Sequence, residues 1–114
     1  MCIDSESGLI YLLGGWNGTI DLPDFWCFDI KLQQWRCISS DTSRQSGPGP
    51  RSCHKICFDP SLKCIYSLGK YIDAESRPNM NLDNDFWKFD IISEKWIKLS
   101  SNTAVNLTLS SLYL

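Results

Sequence analysis

At 114 residues, with 43% hydrophobic, 12% aromatic and 21% charged side chains, the chain has the composition of one foldable domain rather than of a disordered segment. Its net charge of -2, with no run of Lys or Arg, lacks the electrostatic footprint of a nucleic-acid or anionic-membrane binder, and no apolar stretch approaches the roughly 20 residues of a bilayer span. The opening "MCIDSESGLI" sets Asp4 and Glu6 ahead of any apolar run, where a secretory leader would be basic, so a cytoplasmic or nuclear address is expected.

In chain order, the segments "MCID", "LIYLLGG", "DFWCFDI" and "QWRCIS" are short, rich in aromatic and β-branched residues, and separated by turn-forming stretches, which predicts strands in hairpin succession. The apolar run at residues 9–13 stops abruptly at Gly14-Gly15, where glycine permits positive φ and close approach of neighbouring backbone. After "SDTSRQSGPGPR" the series resumes with "SCHKICFD", "KCIYSLG", "DFWKFDI" and "KWIKLS". At an offset of 55, Cys2, Asp4, Ile10, Tyr11, Leu13 and Gly14 fall on Cys57, Asp59, Ile65, Tyr66, Leu68 and Gly69. At an offset of 61, Asp24-Phe25-Trp26 falls on Asp85-Phe86-Trp87, Phe28-Asp29-Ile30 on Phe89-Asp90-Ile91, and Trp35 on Trp96. One unit therefore recurs, with six extra residues after its glycine in the second copy, and Lys70 in place of the second glycine.

The chain thus reads as all-β, built of antiparallel four-stranded blades of a β-propeller, about two of them in an incomplete ring. Residues 1–40 form a blade lacking most of its first strand, 41–51 a linker, 52–101 a second blade and 102–114 a divergent tail that reads as the end of a truncated unit. The period of two in "DFWCFDI" places Trp26, Phe28 and Ile30 on one face, and Trp87, Phe89 and Ile91 repeat it. That face is expected to be the buried one, each large aromatic contributing about 2–3 kcal/mol.

Six cysteines without a CxxC pair or an export signal are expected to be reduced, buried thiols that pack as small hydrophobes. The single His54, in Cys53-His54-x2-Cys57, has no second ligand pair at zinc-like spacing, so no metal and no cofactor are implied. One imidazole without a nucleophile-elbow or phosphate-loop motif gives no catalytic constellation, so an enzyme is not expected. His54 is expected on a strand as a hydrogen-bonded structural group. Asn17-Gly18-Thr19 and Asn106-Leu107-Thr108 match the glycosylation acceptor pattern, which in an intracellular chain is coincidence.

The Leu13-Gly14-Gly15 step, "DFWCFD", Trp35 and the "GPGPRSCH" that precedes the next unit resemble Kelch repeats, over roughly residues 1–100. In that resemblance Gly14, Gly15, Trp26, Phe28, Trp35, His54, Gly69, Trp87, Phe89 and Trp96 are structural motif positions. The combination "GGWNGTIDLPDFW", "QWRCISSDT", "GPGPRSCHK" and "IYSLGKYID" is similar to the muskelin branch, intracellular Kelch proteins with discoidin-like, LisH and CTLH segments ahead of the propeller. The resemblance implies a non-catalytic protein-interaction module, an adaptor or subunit of the CTLH E3 ubiquitin ligase complex, whose partners are ligase subunits or substrates and the remaining blades of a parent propeller. A cullin-type substrate receptor or an actin-associated Kelch protein is the alternative. A Kelch-fold copper oxidase is the remote one, since its metal needs two His ligands.

Alternate loops of a blade lie at opposite ends, so "WNGTIDLP", "YIDAESRPNMNLDN" and the linker share one end, and long loops on a rigid scaffold are where binding concentrates. Trp16, Asn17, Asp21, Arg44, Arg51, Tyr71, Arg77 and Asn79 are the candidate recognition rim. Trp16 and Tyr71 recur in register and are read in preference as blade-to-blade packing, and Arg51 in preference as the partner of an inter-blade carboxylate or carbonyl.

Overall fold

The computed structural model describes residues 1–71 and 85–101. Two four-stranded antiparallel sheets account for nearly all of its regular structure. The first comprises β1 (Cys2–Asp4), β2 (Leu9–Leu13), β3 (Phe25–Asp29) and β4 (Gln34–Ser39), in sequential order. The second comprises β5 (Lys55–Asp59), β6 (Cys64–Leu68), β7 (Phe86–Asp90) and β8 (Lys95–Ser100), likewise. These are the propeller blades that the repeat predicts. Even the irregularity recurs: β3 and β4 shift register at Phe25/Trp26, and β7 and β8 at Phe86/Trp87.

The tight hairpins share one recipe. An Asp at the end of the leading strand accepts backbone N–H groups of the turn, Asp29 from Leu32, Asp59 from Ser61 and Leu62, Asp90 from Ile92 and Ser93. Four residues after each Asp the chain turns left-handed, at Gln33, Lys63 and Glu94. None of these is a glycine, so the turns are not marked by glycine in the sequence. The linker contains a one-turn 3-10 helix (Thr42–Gln45) whose first turn is capped by the Asp41 carboxylate accepting from Ser43 N–H.

The core lies in the seam between the blades. Blade one contributes Tyr11, Leu13, Phe25 and Cys27 from one face, and blade two contributes Ile65, Phe89 and Trp96 from its opposite kind of face. Phe25 meets Phe89 edge-on at 4.9 Å between ring centroids and Trp96 at 5.4 Å. The buried-face expectation therefore holds for blade two and is corrected for blade one. There Trp26 and Phe28 are half-buried, Ile30 is exposed, and it is the Phe25/Cys27 side that is buried. A stack of like blades explains this: each seam joins the Trp face of the following blade to the Tyr/Phe face of the preceding one, so equivalent residues are buried differently in the two copies.

The thiol expectation is also corrected. Only Cys27 and Cys64 are buried, while Cys37, Cys53 and Cys57 are exposed. Cys57 follows the second blade's Tyr66/Phe86 face, which is not in the seam, and Cys53 sits at a left-handed turn with φ 56°.

Trp35 and Trp96 occupy one motif position, yet Trp35 is 54% exposed and Trp96 only 7%. Trp96→Ala is expected to cost about 3–5 kcal/mol in equilibrium urea unfolding, and Trp35→Ala under about 1 kcal/mol. Equal costs would contradict the seam described here.

Candidate functional site

Arg51 anchors the end of the molecule that carries the β2–β3 loop and the linker. Its backbone belongs to blade one: Arg51 N–H donates to the Leu22 carbonyl and its own carbonyl accepts from Gly15 N–H at 2.9 Å. Gly14 is required by this approach, because a Cβ there would lie 2.8 Å from the Arg51 carbonyl oxygen and 2.9 Å from that of Leu22. The side chain crosses to blade two. Nη1 and Nη2 donate to the two carboxylate oxygens of Asp85 at 2.9 and 3.0 Å, Nη1 also to the Gly69 carbonyl, Nη2 to that of Pro48, and Nε to that of Gly49. All five guanidinium N–H donors have acceptors, which permits complete burial.

Asp85 Oδ2 also accepts from the Trp87 indole at 2.7 Å, and Asp24 accepts from Trp26 at the same distance. Burial pushes the Asp85 carboxyl up, but hydrogen bonds from Arg51 and Trp87 and the guanidinium charge outweigh it and hold the group below its usual range. His54 lies just before β5 rather than on a strand, and bonds Leu13 of blade one at 2.6 Å. A carbonyl only accepts, so Nε2 carries the proton. Burial, the largest influence, pushes the imidazole down; the Leu13 carbonyl opposes this and the Arg51 charge adds to it, and the ring stays neutral. Both residues are therefore structural bolts between blades.

On this frame the β2–β3 loop folds back on itself. Trp16 pairs with Asp21 across an isolated bridge, and the Asn17 carboxamide oxygen accepts from Thr19 and Ile20 N–H at 2.8 and 2.9 Å. The loop and the start of blade two enclose an open cleft of about 490 Å³ lined by Trp16, Thr19, Asp21, Ser52, Cys53 and Tyr71. Tyr71 is fixed by its N–H donating to the Ser52 carbonyl at 2.7 Å.

Of the sequence-predicted rim, Trp16, Asp21 and Tyr71 converge on this cleft. Trp16 is 61% exposed and Tyr71 48%, and both border the cleft between the β2–β3 loop of blade one and the start of blade two. Asn17 shapes the loop. Arg44 is exposed on the 3-10 helix, 3.9 Å from the Asp41 carboxylate. Arg51 is corrected as a rim contact, since its donors are all engaged inside; the alternative reading, an inter-blade partner, describes it. Arg77 and Asn79 lie outside the described residues. Thr19, Ser52 and Cys53 line the cleft without having been singled out, and the only signal was their adjacency to Trp16 and Arg51.

Among the described residues no group of three His, Cys, Asp or Glu side chains could hold a metal ion. The imidazole of His54 is engaged with the Leu13 carbonyl.

Residues 7–42, from the first hairpin through β4, match the family model of the Kelch motif. The chain carries a Kelch motif. It is 32% identical over 106 residues to "Mei4-dependent protein 6" of Schizosaccharomyces pombe, a match covering 91% of this chain and 15% of that protein. It is 27% identical over 97 residues to "Rho GTPase-activating protein gacHH" of Dictyostelium discoideum, covering 84% of this chain and 6% of the relative. The chain thus spans well under a quarter of either relative's length. Kelch repeats are in general non-catalytic and bind other proteins.

Acid should unfold the chain in two steps. Unfolded His54 takes up a proton near its ordinary value of 6.5 that the folded ring resists, so stability falls as pH drops through that value. Asp85, depressed in the folded state, contributes stability above 3.8 that is lost as pH falls below it. In denaturant melts against pH, His54→Gln should remove the upper step and leave the lower, while Asp85→Asn should flatten the lower and reduce stability by about 3–5 kcal/mol at neutral pH. A pH-independent melt between 7 and 3 would contradict both assignments.

Proposed function

We propose that the chain is a non-catalytic protein-recognition module in which the cleft between the β2–β3 loop and the start of blade two receives the partner. The observation that carries this reading is the convergence of Trp16, Asp21 and Tyr71, two exposed aromatic rings and a carboxylate, on one cleft of about 490 Å³ held by bolted backbone. Large exposed aromatics on a rigid frame are the side chains that dominate protein interfaces. The sequence likeness to muskelin-type Kelch proteins supports a finer reading, in which the chain serves as an adaptor or subunit of the CTLH E3 ubiquitin ligase and the partner is a ligase subunit or a substrate. Cytoplasm or nucleus is the matching address. Arg44 and Asn17, on the same end, form the outer part of the proposed contact.

Affinity purification of the full-length parent protein, followed by mass spectrometry, tests both levels. CTLH ligase subunits should co-purify with the wild type, and Trp16→Ala with Tyr71→Ala should reduce at least one specific partner about tenfold or more. Absence of ligase subunits would sink the finer reading; indifference of every partner to the double variant would sink the cleft.

A further inference from the structure

We infer that the Trp16–Asp21–Tyr71 cleft takes a cationic side chain, Lys or Arg, of the partner polypeptide; the inference rests on the recognition-module reading and specifies its ligand. Asp21 supplies the charge. Among the described residues its carboxylate has no hydrogen bond and no ion pair, whereas Asp85, Asp41, Asp29, Asp59 and Asp90 all have assigned partners. Arg51, next in the chain to Ser52 of the cleft, is wholly buried and its charge is matched by Asp85, so it offers nothing to an anion in the cleft. His54, whose imidazole feels the Asp21 charge, is engaged with its Nε2 proton on the Leu13 carbonyl.

The two aromatic walls suit the same ligand. A cation over the face of Trp or Tyr is attracted by the ring quadrupole, most strongly by Trp, and the Asp21 carboxylate on the same cleft adds a direct ion pair. The Thr19 and Ser52 hydroxyls can accept the remaining N–H groups of an ammonium or guanidinium. An anionic ligand would meet the Asp21 carboxylate, and a purely apolar one would leave that carboxylate desolvated without a partner. The volume, about 490 Å³, exceeds one side chain and accommodates the flanking peptide backbone as well.

The test is selection of a random displayed peptide library on the full chain, followed by fluorescence polarisation with resynthesised peptides. Enriched sequences should share a Lys or Arg. Replacing that residue by norleucine or citrulline should weaken binding about tenfold or more, equivalent to about 1.4 kcal/mol, and Asp21→Asn should do the same to the parent peptide while leaving the neutral peptide unchanged. Because the Trp16–Asp21 bridge is made by backbone, Asp21→Asn keeps the loop. Peptides without a basic residue that still lose binding in Trp16→Ala would overturn the cationic ligand and leave the recognition cleft standing. A basic peptide indifferent to Asp21→Asn would also overturn it. If no selected peptide depends on Trp16, both readings fall together.

Discussion

A guanidinium can leave water only when every one of its donors finds an acceptor, and Arg51 satisfies that demand with groups drawn from both sides of a seam. Its main chain is paired to Leu22 and Gly15, and its side chain to Asp85 and Gly69. The rest of the architecture is arranged around this crossing. Gly14 has no side chain because the linker passes against it, and the acidic side chain at 85 is shared between Arg51 and Trp87, tying the bolt to the aromatic layer of the second blade. The aromatic seam supplies area and the ion pair supplies register. A buried pair of this kind contributes modestly to net stability, but it admits one alignment of the two sheets.

The repeat made most of the fold legible. Strand positions, hairpin order and the two equivalent aromatic runs follow from period-two patterning and the offsets of 55 and 61 between the copies. What a single blade's pattern does not carry is which of its faces meets a neighbour. Phe25 and Trp26 are both large and apolar, and the decision between them depends on the blade on each side, a long-range fact. The left-handed turns at Gln33, Lys63 and Glu94 were hidden for a different reason: the Asp four residues earlier fixes the turn by accepting its N–H groups, so a residue with a side chain tolerates the positive φ.

The candidate site was legible in part. Loop location pointed to Trp16, Asp21 and Tyr71, and their convergence follows from the linker drawing the β2–β3 loop against the start of the second blade. Of the two arginines of one linker, sequence reasoning gave Arg51 an inter-blade partner but could not name it. One is locked among carbonyls and a carboxylate, the other projects into solvent, and the difference lies in Asp85, a residue far along the chain. Ser52 and Cys53 enter the cleft only because Arg51 pins the backbone beside them.

Arg51 and Asp85 are 34 residues apart, and this separation sets an order of events during synthesis. At a ribosome's pace of about 5–20 residues per second, the guanidinium waits on the order of 2–7 s before its carboxylate is made. The first sheet and the linker are then complete, but the charge that must enter the seam is still hydrated. Phe89 and Trp96, the aromatic half of the seam from the second blade, follow Asp85 in the chain, so the ion pair and the aromatic contacts close together once both have been made.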